Sequence, residues 1–118
     1  MNRKELGRWG EEMATRYLTH EKGFRIIDRN YRCPIGEIDL IAFSQNTVVF
    51  IEVKTRRALS FGFPAESVTQ SKQKKYYLLS QYYIKEKGLY GIDCRFDIVE
   101  VFAKSDGSCH FNHIINAF

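Results

Sequence analysis

The chain has 118 residues, a net charge of +4 and a hydrophobic content of 44%, so it is long enough for one domain with its own core and too short for two. No apolar run approaches the length of a membrane-spanning helix, and the first residues lack the pattern of a signal peptide, so we expect a cytoplasmic globular protein. Three widely separated cysteines predict buried free thiols and argue against a disulfide framework or a zinc site. They are Cys33, Cys94 and Cys109.

Positive charge is concentrated in residues 54–87, which hold eight basic and two acidic side chains, a local net charge of +6. Residues 1–53 hold eight side chains of each sign. Such a segment is typical of a surface that binds the phosphate backbone of a nucleic acid. A solvated helix face is the alternative. The candidate phosphate-contacting residues are Arg56, Arg57, Lys72 and Lys75.

Apolar residues at helical spacing predict a first helix over residues 3–22. Two neighbouring acids occupy different positions on this helix, because Glu11 lies at the margin of the apolar stripe whereas Glu12 points away from it. Only Glu11 is therefore placed to face a neighbouring sheet. The stripe comprises Leu6, Trp9, Gly10, Met13, Ala14, Tyr17 and Leu18.

A first strand is predicted over residues 24–33, and a hairpin follows over residues 36–56. The hairpin consists of two apolar runs separated by Gln45-Asn46, which is typical of a two-residue turn. Acidic side chains interrupt both runs. An apolar loop is predicted over residues 58–64, after the hairpin.

The two-residue turn predicts which hairpin side chains lie together. Its register puts Asp39 opposite Glu52 and Glu37 opposite Lys54, and strand alternation puts Glu37, Asp39 and Ile41 on one face. Two opposed carboxylates repel each other, so a positive group is expected between them, either Lys54 or a divalent cation. Oxygen ligands without paired Cys or His favour Mg²⁺ or Mn²⁺. The alternative is that Glu52 and Lys54 lie on the solvent face of an edge strand.

A second helix is predicted over residues 64–87. Lys72 lies within its apolar stripe and Lys75 lies beside it, so Lys72 either extends past the core to solvent or directs its ammonium group at phosphate or at the carboxylates. Gln73 and Tyr77 have a Gln-x-x-x-Tyr spacing seen in some nucleases, but they lie away from the stripe and receive no role. The stripe comprises Val68, Tyr76, Leu79 and Tyr83.

Two further strands are predicted, over residues 94–102 and from the Asp106-Gly107 turn through Ile115. His110 and His113 would lie on opposite faces of the last strand, which makes them poor partners for a shared metal and predicts structural roles. The complete order is helix, three strands, helix, two strands. We expect a single α/β domain over residues 1–118.

Several linked motifs in this order identify a known family. They are Gly7-x-x-Gly10-Glu11-x-x-Ala14-x-x-Tyr17-Leu18, Asn30-Tyr31-Arg32, Gly36-Glu37-Ile38-Asp39-Leu40-Ile41-Ala42, Phe50-Ile51-Glu52-Val53-Lys54-Thr55-Arg56, Lys72, Arg95-Phe96-Asp97 and His113-Ile114-Ile115-Asn116-Ala117-Phe118. Over essentially its whole length the chain resembles the small bacterial YraN proteins. These lie within the PD-(D/E)XK nuclease-like superfamily, which includes the archaeal Holliday-junction resolvases.

The resemblance implies a restriction-endonuclease-like fold, with a mixed sheet of about five strands flanked by two main helices. It also implies that Asp39 and Glu52 are catalytic metal ligands, that Lys54 is the catalytic lysine, and that Glu11 is a further metal ligand on the first helix. Glu37 matches the family motif without a superfamily role and is expected to support the site by pairing with Lys54 or Arg56. The proline of the superfamily name is absent, since Ile38 precedes Asp39.

The implied function is hydrolysis of phosphodiester bonds in DNA, branched or junction DNA included, with Mg²⁺ or Mn²⁺ as cofactor. One alternative is a non-catalytic module that retains the fold and binds nucleic acid or another protein. Another is a hydrolase of some other phosphate ester. A resolvase-like function would imply a symmetric homodimer.

Overall fold

The computed structural model describes residues 1–57 and 68–118. In chain order the elements are α1 (Arg3–His20), β1 (Arg25–Cys33), β2 (Gly36–Ser44), β3 (Thr47–Arg57), α2 (Gln70–Lys87), β4 (Asp93–Ala103) and β5 (Cys109–Ile114). This order confirms the predicted sequence of helix, three strands, helix and two strands. The predicted apolar loop 58–64, and residues 64–67 of the predicted second helix, lie outside the described residues.

Within the described residues the strands form one mixed sheet in the order β1-β2-β3-β4-β5. Strands β3 and β4 are parallel, and the other neighbouring pairs are antiparallel. A parallel pair needs a long crossover connection, and α2 lies in the connection between β3 and β4. The predicted mixed α/β fold with about five strands is therefore confirmed.

The two helices cover opposite faces of the sheet. Ala14 and Leu18 of α1 pack with Leu40 and Ala42 of β2 in one buried cluster. The other face is covered by α2, whose buried residues pack with the intervening side chains of the same strands. That second cluster contains Tyr31, Ile38, Ile41, Val48, Phe50, Leu79 and Tyr83.

Local sequence determines where the helices begin and end. A capping box formed by Asn2 and Glu5 starts α1, and the Thr69 side chain accepts from the Lys72 backbone N–H at the start of α2. The prediction that residues 68 and 69 are helical is therefore wrong, because Thr69 is the extended cap. The predicted end of the second helix at residue 87 is confirmed, and Gly88, with φ of +67°, is the cap that ends α2.

A glycine lets α1 lie directly on the sheet. A Cβ atom added at Gly10 would overlap the Thr55 side chain of β3, so the helix backbone and the strand are in direct contact there. This close approach determines the distance of α1 from the sheet. It also determines the position of Glu11, the next residue along the helix.

A buried ionic network joins β4 to the end of the chain. The Asp97 carboxylate accepts two hydrogen bonds from Arg95, at 3.0 and 3.1 Å, and one from the Asn116 backbone N–H at 3.0 Å. Nε2 of His113 lies 2.8 Å from the same carboxylate. The Arg-Phe-Asp and His-Ile-Ile-Asn motifs are therefore two parts of one structural contact, and the structural role predicted for His113 is consistent with it.

The cysteines differ in exposure. Cys33 and Cys109 are half-buried, whereas Cys94 is exposed at the start of β4. The prediction of a buried thiol is therefore wrong for Cys94. Its neighbour Asp93 is exposed as well, so the first two residues of β4 both lie outside the buried part of the sheet.

Candidate metal and nucleic-acid site

The hairpin between β2 and β3 has the predicted register. Gln45 and Asn46 both have positive φ, +49° and +63°, as a two-residue turn matched to strand twist requires. Pairing runs from Ser44–Thr47 to Leu40–Ile51. The next position in this register would pair Asp39 with Glu52, which places the two acids at the end of the ladder.

The two strands stop pairing at Asp39 and Glu52. Beyond this point β2 stays paired with β1, while β3 stays paired with β4. The Val53 backbone N–H donates to Asp39 Oδ2 at 2.9 Å. A side chain of β2 thus continues the contact with β3 where the backbone ladder has ended, and this bond fixes the direction of the Asp39 carboxylate.

Strand alternation breaks at the same place. Ile38 and Ile41 both pack beneath α2, although residues three apart on a regular strand point to opposite faces. The residue of β1 opposite Asp39 is Asn30, which has a φ of +52°. These two residues lie between the backbone pairs Arg29–Leu40 and Tyr31–Ile38. Regular alternation therefore does not extend from Ile41 to Glu37, and the predicted shared face of these two residues stays a prediction.

The predicted pairing of Glu37 with Lys54 or Arg56 is wrong. The strands have separated before this point, so no cross-strand pair forms with Lys54. Instead, Arg32 Nε donates to Glu37 Oε2 at 3.1 Å, from the neighbouring strand β1. Arg56 is paired with the buried Glu100 at 3.6 Å.

The Asp39 carboxyl group lies in surroundings that disfavour its negative charge. Burial is the largest cause that raises the pKa of Asp39 to about 7. The hydrogen bond from Val53 opposes the rise, and the negative charges of Glu11, Glu52 and Glu37 add to it. Four carboxylates from α1, β2 and β3 therefore act on one another electrostatically at the end of the hairpin.

Glu11 belongs to this group, as the helix position predicted. Burial and then the charge of Glu37 raise its pKa above the ordinary value, while Arg29 and a hydrogen bond with the Asn30 side chain lower it. Across residues 1–57 and 68–118, however, no three His, Cys, Asp or Glu side chains form a group that could hold a metal ion. The role of Glu11 as a direct metal ligand stays a prediction.

Tyr76 is a site residue that the sequence pattern did not reveal. It was predicted as part of the apolar stripe of α2, and its ring does pack against Phe96 and Phe118. Burial, followed by a hydrogen bond to Glu52 and the charge of that residue, raises the pKa of the Tyr76 hydroxyl. The hydroxyl therefore stays protonated and donates to Glu52. Its position one turn after Lys72 is the only sequence signal for this role.

A lysine-lined pocket lies beside Glu52. Lys72 and Lys75 both line this cavity of about 290 Å³, and the role of Lys72 toward phosphate or the carboxylates stays a prediction. Its lining comprises Gly36, Glu37, Glu52, Lys72, Lys75, Tyr76 and Leu79. We call this cavity the lysine pocket.

Gly36 allows one of these lysines to approach. Its φ of +153° is one that side chains rarely permit. A Cβ atom at Gly36 would lie 3.0 Å from Cε of Lys75. The absence of a side chain at the start of β2 therefore leaves room for the Lys75 ammonium group above the strand.

The remaining predicted basic residues are not gathered in this pocket. Lys54 is half-buried, two residues after Glu52 on β3. Arg56 is oriented by Glu100, and Arg57 donates to the Met1 carbonyl at 2.7 Å. The structure thus unites Lys72 and Lys75 with the acids, while Arg56 and Arg57 make other contacts.

Together, fold and site define a small mixed α/β domain in which a central hairpin presents carboxylates beside a lysine pocket. The chain belongs to the uncharacterised protein family UPF0102, the YraN family, whose model matches residues 10–101. The resemblance seen in the sequence is thereby confirmed.

Relatives match along their full length. The chain is 43% identical over 120 residues to a UPF0102 protein of Caldanaerobacter subterraneus subsp. tengcongensis, covering 100% of this chain and 98% of the relative. It is 44% identical over 118 residues to a UPF0102 protein of Clostridioides difficile, covering 100% of both. A repair endonuclease from Pyrococcus abyssi is a similar solved structure, at a TM-score of 0.39 and 17% identity, over 81% of this chain and 38% of that chain.

Neither described helix is both long enough and apolar enough to span a bilayer.

Proposed function

We propose that this protein is a divalent-metal-dependent nuclease that hydrolyses phosphodiester bonds in DNA. The observation that carries the proposal is the position of the Asp39 and Glu52 carboxylates. They lie at the end of one hairpin, with the pKa of Asp39 raised to about 7, beside a pocket lined by two lysines. The acids suit a cation, and the lysines suit the anionic phosphate that the cation would help to bind.

The donor set fits Mg²⁺ or Mn²⁺ better than a softer metal. Asp39 and Glu52 supply hard oxygen ligands, and Mg²⁺ is usually bound by one or two carboxylates, with water and substrate phosphate completing its shell. A bound cation would also offset the carboxylate repulsion that adds to burial in raising the pKa of Asp39. It would supply Lewis-acid polarisation of the phosphate and acidify a nearby water molecule.

The protein's own groups hold the reactants in place. Val53 orients Asp39, and the Tyr76 hydroxyl orients Glu52. Lys72 and Lys75 bind the phosphate oxygens from the pocket side. Lys54 follows Glu52 by two residues on β3, and we assign it stabilisation of charge that develops on the phosphate.

Hydrolysis itself requires one water molecule. The water oxygen forms a bond to phosphorus as the bond from phosphorus to the leaving sugar oxygen breaks. One proton leaves the attacking water, and one proton is taken up by the leaving oxygen. The products are a strand that ends in a hydroxyl group and a strand that ends in a phosphate.

The test is incubation of purified protein with branched, flapped, single-stranded and duplex DNA in Mg²⁺ or Mn²⁺. We expect cleavage that disappears in EDTA and in Glu52→Gln. Glu21→Gln is the matched control, because Glu21 is an exposed acid at the end of α1. Tight binding without cleavage in either metal would instead support a non-catalytic nucleic-acid-binding module.

A further inference from the structure

A second concave surface lies on α2, away from the lysine pocket. It is a groove of about 550 Å³, and the described residues that line it are Gln70, Gln73, Lys74, Tyr77 and Leu78. Two of them are large exposed groups, since Tyr77 is 59% and Leu78 is 53% accessible. Gln73 and Tyr77 are the pair that the sequence left without a role.

We propose that this groove binds an unpaired nucleotide of the substrate, with its base stacked on Tyr77 and its phosphate held by Lys74. This inference rests on the proposed function and narrows the substrate class to nucleic acid with a single-stranded segment. Aromatic side chains beside basic groups are the usual means by which proteins hold single strands without reading sequence. Duplex bases are stacked on each other and cannot offer a face to Tyr77.

The positive charge of α2 favours a nucleic-acid strand as the occupant of the groove. Helix α2 carries five lysines and one glutamate, and its first turn holds no acidic residue. The positive end of the helix dipole lies at the same end as the groove. A second copy of this chain would bring the same positive charges against these lysines, whereas a phosphate backbone complements them.

The chemistry of the lining suits a nucleotide. The Gln73 Nε2 group donates to the Val68 carbonyl at 2.9 Å, which holds that side chain at the groove wall. Tyr77 follows Gln73 by four residues and Lys74 by three, so all three lie within one turn on the same side of the helix. Lys74 is therefore close enough to Tyr77 to contact the phosphate of the nucleotide whose base is stacked there.

The groove and the lysine pocket lie on adjoining sides of the same helix. Lys74 lines the groove, while its neighbour Lys75 lines the pocket beside Glu52. An α-helix with side chains is about 10–12 Å across. One strand can therefore pass from the groove across α2 to the carboxylates, which would put the scissile phosphate a few nucleotides from the stacked base.

Binding without divalent metal separates this proposal from the proposed function. We would measure fluorescence anisotropy of a labelled oligothymidylate and of a blunt duplex in EDTA. Tyr77→Ala should weaken oligothymidylate binding by about fivefold or more and leave duplex binding unchanged. Tyr90→Ala is the matched control, since Tyr90 is 70% accessible and does not line the groove. Lys74→Ala should weaken binding and lower the salt dependence by about one phosphate contact.

Three results would overturn the proposal: no binding of wild-type protein to the oligothymidylate, equal effects of Tyr77→Ala and Tyr90→Ala, or a loss in Tyr77→Ala that is equal for both DNAs. Sedimentation in the same buffer detects the competing occupant, because a wild-type dimer that Tyr77→Ala dissociates would assign the groove to a second copy. Failure of metal-dependent cleavage would reject the proposed hydrolysis without changing the anisotropy result.

Discussion

The backbone N–H of Val53 donates a hydrogen bond to Asp39 Oδ2 at 2.9 Å, at the position where β2 and β3 stop pairing. One acid therefore has two roles. It joins the separating strands, and it places negative charge next to Glu52. The site exists because the hairpin opens at this point, which exposes polar groups that a continued ladder would have enclosed.

Asp39→Asn should stabilise the metal-free protein at alkaline pH. The folded-state pKa of Asp39 is raised to about 7, so its protonated form contributes stability that is complete below about pH 4 and is lost as pH rises through 7. Asparagine can still accept from Val53 without ionising. We expect a gain of about 2 kcal/mol at pH 8 that vanishes near pH 4, measured by urea unfolding.

Asp93→Asn provides the control for that pH series, because Asp93 is an exposed aspartate at the start of β4. It should change stability little at either pH. A loss of stability in Asp39→Asn at pH 8 would contradict this account, since it would show that the charged carboxylate is needed for folding.

Tyr76→Phe should weaken metal binding through Glu52. The substitution removes the hydroxyl that donates to the Glu52 carboxylate but keeps the ring that packs against Phe96 and Phe118. Loss of a group that orients a metal ligand commonly costs tenfold or more in affinity. We expect a decrease of about tenfold in Mn²⁺ affinity by calorimetry.

Tyr83→Phe is the matched control for Tyr76→Phe. Tyr83 lies on the same helix and is buried, with its ring against Tyr31 and Phe50. The Mn²⁺ affinity of Tyr83→Phe should equal that of the wild type. Equal losses in both variants would show that the effect comes from packing of α2 and not from the bond to Glu52.

Two glycines of α1 should respond to alanine in opposite directions. A Cβ atom at Gly10 overlaps Thr55, so Gly10→Ala must move the helix and should cost about 1–3 kcal/mol. Nothing lies within 4 Å of a Cβ atom at Gly7. Gly7→Ala should therefore stabilise the protein by about 0.5–1 kcal/mol through helix propensity. Thermal unfolding of the two variants checks both signs, and a stabilised Gly10→Ala protein would contradict the close contact.

Asp97→Asn should behave oppositely to Asp39→Asn. Burial alone would raise the pKa of Asp97, but hydrogen bonds from His113, Arg95 and the Asn116 backbone hold it below the ordinary value. The charged form therefore contributes stability that is present above about pH 4 and lost as pH falls through the folded-state pKa. Breaking this buried network should cost about 3 kcal/mol at pH 7.

Urea unfolding at pH 7 and at pH 3 tests that expectation. The difference between Asp97→Asn and wild type should be large at pH 7 and smaller at pH 3. A constant difference would mean that Asp97 acts through packing and not through its charge.

The sequence predicted the order of the elements and the hairpin register because these depend on local patterns. Gln45-Asn46 defines a two-residue turn, and the pairs from that turn to Leu40–Ile51 follow from it. Helical spacing likewise predicted that Glu11 lies at the margin of the apolar stripe of α1.

The partners of the site residues were not predictable in the same way. Counting along a regular hairpin paired Glu37 with Lys54, but the two strands separate before this position, and Arg32 of β1 donates to Glu37 instead. Tyr76 was predicted to be a core residue, because the contact of its hydroxyl with Glu52 arises only when α2 packs over β3. Sequence spacing describes an element, whereas these contacts arise between elements.

The most direct test of the central claim is an anomalous difference map from crystals grown with Mn²⁺. The account predicts one peak within bonding distance of both Asp39 and Glu52, absent from crystals of Glu52→Gln. No peak at these carboxylates, in crystals where Mn²⁺ is present at saturating concentration, would contradict the assignment of this hairpin as a metal site.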